Sequence, residues 1–225
     1  MPDIFDVFNR PDALNLQNTS PPVQLALLLG LSTLLPSALM VLTCYTRVII
    51  VLSFVRQGLA TQQVPPNLVL TGLAIFLTLF IMQPTFSEID QKALQPYLSK
   101  QISSQEAIRV GTRIHKRFLL EHTRKQDLAL FLHLSGNTAV ETPEQSPTLT
   151  IIPAFVISEL KTAFIMGFCI FVPFLMVDLV VSSILTSMGM VMMPPVTISA
   201  PFKILLFILA DGWHLVSHAI AASYG

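Results

Sequence analysis

Charge is spread so unevenly along this chain that it limits what the chain can fold into. No charged side chain occurs between Asp12 and Arg47, between Arg56 and Glu88, between Asp178 and Lys203, or after Asp211. A bilayer-spanning helix needs about 20 consecutive, mostly apolar residues. Four segments are candidates: Val23–Thr43, Leu68–Met82 with its flanks, Ile165–Leu185 and Ile204–Ala222. Soluble domains carry roughly 25% charged residues, whereas this chain of 225 residues is 12% charged and 52% hydrophobic. So few charges cannot cover a soluble fold of this length, and an integral membrane protein is expected. Thirteen basic and thirteen acidic residues cancel, so no global field points to nucleic acid.

The candidate segments are interrupted. Pro36 lies within the first and Pro173 within the third, while Pro65-Pro66 and Pro194-Pro195 precede the second and fourth. Proline removes a backbone donor and bends or ends a helix. Irregular backbone survives at membrane depth only against protein or a water-filled cavity. The prolines therefore predict broken helices or re-entrant hairpins in an assembly, with four simple spans as the alternative. Residues 88–150 differ from both apolar blocks, because eight of the thirteen Lys and Arg fall between Lys92 and Lys125. Apolar residues at Ile108, Ile114, Phe118 and Leu119, then Leu128, Phe131, Leu132 and Leu134, give a roughly helical spacing. Gly136–Thr148 reads as a polar, proline-containing loop. The expected organisation is a polar N-terminal segment (1–22), an apolar helical block (23–87), a polar and mostly helical insertion (88–150), and a second apolar block (151–225).

No catalytic, cofactor-binding or metal-binding pattern is present: there is no phosphate loop, no HExxH and no nucleophile elbow. His115, His122 and His133 read as solvated surface residues, and His214 with His218 lacks further ligands at metal spacing. Cys44 and Cys169 lie in apolar runs and read as two buried thiols. The informative residues are charges embedded in apolar sequence. A charge at the bilayer centre costs about 2.5–3.5 kcal/mol even on insertion scales, so such residues face protein or water and pair. Arg47, Glu159, Lys203, Asp178 and Asp211 are candidates for pairing, whereas Arg56 and Lys161 read as snorkelling flanks. The run SMGMVMMPP holds Met188, Met190, Met192 and Met193. Thioether side chains adapt to surfaces of varied shape, so this loop is either an apolar pore closure or a packed helix contact.

Four stretches carry a family resemblance: YTRVIIVLSFVRQGLATQQVPPN (Tyr45–Asn67) continuing into LVLTGLAIFLTLFIMQP, PAFVISELKTAFIMGFCIFVPF (Pro153–Phe174), SMGMVMMPPVTISAPFKILLF (Ser187–Phe207) and DGWHLV (Asp211–Val216). Together they cover 89 of the 225 residues. It resembles the FliP/SctR family of type III export-gate membrane proteins, and LATQQVPPN and DGWHL resemble the flagellar branch more than the injectisome branch.

The resemblance implies an all-α fold: a membrane-associated bundle of long, proline-broken helical hairpins with a polar insertion, forming a ring-shaped helical assembly. It implies a homopentamer with FliQ-like and FliR-like membrane subunits and FlhA/FlhB-like export-gate proteins. That complex sits in the bacterial inner membrane, at the flagellar basal body, as a multi-pass entry pore for unfolded export substrates. No enzymatic activity is implied, because the energy comes from elsewhere. The family's pore-narrowing loop maps to Met190, Val191 and Met192, with Met188 and Met193 beside them, and Glu159 and Lys203 map to an inter-subunit ion pair. The family commonly carries a cleavable signal, which MPDIFDVFNR does not resemble. It also places the insertion on the periplasmic side, against the positive-inside tendency of its lysines and arginines. Outside this family, broken helices and buried charges would suit a secondary transporter, but no internal repeat is visible.

Overall fold

The computed structural model describes residues 21–61, 64–136, 142–190 and 192–225. Among these the chain is helical, with no strand, which is the all-α class expected from the sequence. It divides into two compact units, Met1–Met40 and Val41–Gly225. In the first, the described residues belong to helix α1 (Pro21–Leu42), which is apolar and holds Pro36. Its few hydroxyls bond along the helix, Ser32 Oγ to the Leu29 carbonyl and Thr33 Oγ1 to the Gly30 carbonyl, each at 2.8 Å. A polar side chain in an apolar helix is satisfied locally in this way.

The second unit is built around α2 (Tyr45–Gly58) and α7 (Thr148–Ser187). At 40 residues, α7 is about 60 Å long, twice the thickness of a bilayer's hydrocarbon core. Val48, Val51, Leu52 and Val55 of α2 are buried with Ile151, Ala154, Phe155 and Ala163 of α7. The two helices approach through reciprocal notches. A Cβ on Gly167 of α7 would lie 2.4 Å from the Phe54 ring of α2, and a Cβ on Gly58 of α2 would lie 2.5 Å from the Phe174 ring of α7. Each helix thus offers one phenylalanine and one glycine to the other. Small residues allow this close approach where no hydrophobic force drives helices together.

Helix α3 (Asn67–Ile89) runs through a π-helical turn (Asp90–Leu94) into α4 (Gln95–Leu98). Then come α5 (Ser104–Glu121), α6 (Lys125–Leu134) and a 3-10 turn (Pro143–Gln145). After α7, α8 (Pro195–Leu209) and α9 (Gly212–Ala222) complete the chain. Ser103 starts α5 by accepting a hydrogen bond from the Glu106 N–H at 3.2 Å, the Ser-x-x-Glu pattern of a capping box. One face of α5 buries Ile114, Phe118 and Leu119. Glu88 ties α3 to α5 through Arg117 and also pairs with Lys92 at 2.8 Å.

Among the described residues, two continuous stretches are long and apolar enough to cross a membrane, Asn67–Leu98 and Thr148–Ser187. The end of α1 with α2, and α8 with α9, would each make one more if counted as a bent span. The paired prolines fall at helix breaks, but the interior prolines do not act as the sequence suggested. Pro153 and Pro173 sit inside an unbroken α7, Pro84 inside α3 and Pro201 inside α8. Each costs one backbone hydrogen bond, and the remaining ladder carries the helix through. The α8–α9 bend of 64° occurs instead at Asp211-Gly212. Asp211 adopts the left-handed conformation (φ 48°, ψ 51°), which Asp tolerates better than most residues. A Cβ on Gly212 would lie 2.2 Å from the Phe207 ring.

Candidate functional site

Arg47, one turn into α2, is 4% exposed, and Glu159, on α7, is fully buried. Arg47 donates from Nε to Glu159 Oε2 at 3.0 Å and from Nη2 to Glu159 Oε1. Its Nη1 donates to the Ser223 carbonyl at 3.1 Å and to Ser223 Oγ at 2.8 Å. The guanidinium carbon lies 3.8 Å from the centre of the Tyr224 ring, and the Tyr224 hydroxyl donates to Glu159 Oε2. That ring also stacks on Phe118 of α5 and lies 4.9 Å from His122. A bidentate carboxylate, a cation over an aromatic face and two further hydrogen bonds to Ser223 leave the charge well compensated.

A second polar cluster joins α7 to α8. Lys203, 3% exposed, donates to Asp178 Oδ2 at 2.6 Å, and the buried Ser199 hydroxyl donates to Asp178 Oδ1. A third fastens α6 to α7. The buried Ser158 hydroxyl donates to Asp127 Oδ2 at 2.7 Å and accepts from the Arg124 N–H at 3.0 Å.

The methionine loop joins α7 to α8. Gly189 has φ +76°, the Gly189 N–H bonds the Thr186 carbonyl at 3.0 Å, and the Met190 N–H bonds the Leu185 carbonyl at 2.9 Å. This pair of bonds around a left-handed glycine is a Schellman C-cap, so α7 ends where its glycine permits. On the far side Pro195 occupies the first position of α8, where its missing donor costs nothing. Between these stops the methionines are exposed, Met188 at 61%, Met190 at 41%, Met192 at 97% and Met193 at 45%. Val191 lies outside the described residues.

Similar proteins include the flagellar biosynthetic protein FliP of Bacillus subtilis (strain 168), 50% identical over 224 residues with all of both chains covered. That of Cereibacter sphaeroides is 48% identical over 202 residues, 90% of this chain and 67% of that one. That of Pectobacterium carotovorum subsp. carotovorum is 47% identical over 208 residues, 92% of this chain and 81% of that one. The FliP family profile matches residues 28–220. This chain belongs to the FliP family.

Within this FliP-family chain, the embedded charges find partners inside one subunit. Glu159 pairs with Arg47 and Lys203 with Asp178 of the same chain, whereas the expected Glu159–Lys203 contact is one between subunits. The cost of unpaired burial is thereby met within one subunit. Asp211 is exposed and acts through its backbone at the α8–α9 bend, where the sequence suggested a buried charge. Arg56 bonds the Asn67 side chain and Lys161 is exposed, as flanking charges would be.

The histidines also differ from the reading of all three as solvated. His133 is exposed, but His115 and His122 are half-buried. Burial holds the His115 imidazole below its ordinary pKa, partly offset by a hydrogen bond with the Leu42 carbonyl. Cys44 is buried, whereas Cys169 is exposed on α7. Tyr224, Ser223, Ser199 and Ser158 were missed altogether. Hydroxyl residues are common, and only the partner's position gives them meaning. The one available signal was a tyrosine at the end of an otherwise apolar terminal block.

Proposed function

We propose that this chain is a channel subunit of the bacterial flagellar protein export apparatus, and that copies arranged in a ring form the entry pore for unfolded flagellar substrates. The observation that carries this reading is the methionine loop: four flexible apolar side chains, 41–97% exposed, between two apolar helices. Symmetry would gather such loops at one level on the axis, and an apolar constriction can block ions and water by dewetting. Helices α7 and α8 expose Phe164, Phe168, Leu179, Phe202, Ile208 and Leu209, an amount of apolar surface that requires lipid or protein neighbours.

In this reading the ring is a homopentamer in the inner membrane at the basal body, beside FliQ-like, FliR-like and FlhA/FlhB-like proteins. The chain forms a conduit and catalyses nothing. The native mass of the detergent-extracted complex, set against 24.8 kDa for one chain, tests it. A mass of several copies is expected, and a lone chain in a functional preparation would refute it.

A cross-subunit contact between Glu159 and Lys203 is a separate proposal, which requires ring closure to exchange or share their present partners. The exchanged pair Glu159→Lys with Lys203→Glu should then restore assembly lost in either single variant. Restoration by Arg47→Glu with Glu159→Arg, and not by the first exchange, would leave only the pairs within one chain.

A further inference from the structure

We infer that Ser223 and Tyr224 form a latch that locks α5 of the polar insertion and α2 to Glu159 of α7, so that the buried ion pair closes only once these two residues are in place. Arg47 makes four hydrogen bonds, two to Glu159 and two to Ser223. Without Ser223 and Tyr224 the guanidinium keeps only its carboxylate, and Glu159 loses the Tyr224 hydroxyl. The partners come from four separate parts of the sequence: Arg47, Phe118 with His122, Glu159, and the chain end.

Ser223 and Tyr224 are held in shape by backbone bonds back to α9, from the Ser223 N–H to the Ala219 carbonyl at 3.2 Å and from the Tyr224 N–H to the Ala221 carbonyl at 3.1 Å. The latch is therefore delivered by α9 as a preformed end. A buried charge with missing partners is strongly disfavoured, so a chain lacking this end holds α2, α5 and α7 together less firmly.

Cys44 provides a local reporter. It is fully buried, three residues before Arg47, and its modification by a membrane-permeant maleimide can be read by mass spectrometry in a Cys169→Ser background. The experiment uses the full, detergent-extracted assembly. Tyr224→Phe keeps the ring over Arg47 and removes only the hydroxyl. Tyr224→Ala removes both, and a chain ending at Ala222 also removes Ser223. Cys44 modification should rise in that order, at least tenfold for Tyr224→Ala. Hydrogen exchange at residues 118–122 of α5 should rise with it. Faster exchange in α5 separates a latch from loose packing at the chain end, which would speed exchange only there. If Tyr224→Ala fails to accumulate, Tyr224→Phe carries the test, with a several-fold rise expected. Cys44 as protected in the variants as in the wild type, or α5 exchange unchanged, would overturn the latch.

Discussion

Replacing Gly167 by alanine tests the packing of α2 on α7 with a single methyl group. The new Cβ would lie 2.4 Å from Cδ2 and 2.6 Å from Cγ of Phe54, about 1 Å inside the ordinary carbon contact distance of roughly 3.5 Å. These are ring atoms near the side chain's root, so no small swing of a flexible end removes the clash. The ring is also held edge-on by Phe164 at 5.6 Å and Phe171 at 6.5 Å. Either α2 moves away from α7 or three aromatic rings repack. Overpacking of this kind typically costs about 1–3 kcal/mol, and for a chain of this size each kcal/mol shifts Tm by about 2–4 °C. Trp213, the only tryptophan, lies 5.2 Å from Phe207 and reports unfolding by fluorescence. Gly167→Ala should therefore lower Tm by about 2–12 °C. In the double variant with Phe54→Ala, the alanine at 167 should cost much less than it does alone, because contacting residues are non-additive. A wild-type Tm for Gly167→Ala, or strictly additive losses in the double variant, would refute the reciprocal notch.

Three further outcomes follow from the same geometry. Arg47→Ala leaves Glu159 buried without its cation and should cost about 3–5 kcal/mol, visible as loss of assembled protein in extracted membranes. Gly189→Ala meets no atom but must adopt φ +76°. It should cost about 1–2 kcal/mol and impair export, and Gly189→Asn should be milder. His115, whose pKa burial lowers in the folded chain, adds stability above its unfolded pKa of about 6.5. That contribution is lost as pH falls through this value toward the lower folded one, so His115→Gln should flatten the acid side of the stability curve.

Much of this fold was legible because charge and proline are cheap to read and expensive to misplace. The charge-free runs located the apolar helices, the helical spacing at Ile114, Phe118 and Leu119 located the buried face of α5, and Arg47, Glu159, Asp178 and Lys203, the four members of the two ion pairs, all stood out as charges embedded in apolar sequence. What the sequence hid was partner identity. Arg47 and Glu159 stand 112 positions apart, and nothing local to either residue indicates the other. The interior prolines misled because a single missing backbone bond does not end a long apolar helix. The bend at Asp211-Gly212 has a local cause, but the apposed Phe207 ring that requires glycine appears only in three dimensions.

The central claim, that the methionine loop seals a pore, is tested most directly by replacing Met190, Met192 and Met193 together with alanine and measuring ion leak across the membrane of growing cells. The assembled ring should be verified first. Removing these thioethers thins the constriction without touching the glycine cap or the prolines that hold the loop. The account predicts an assembled variant that leaks ions and protons above the wild-type level while export is at least partly retained. An assembled variant as tight as the wild type would contradict it and leave the methionines as packing residues.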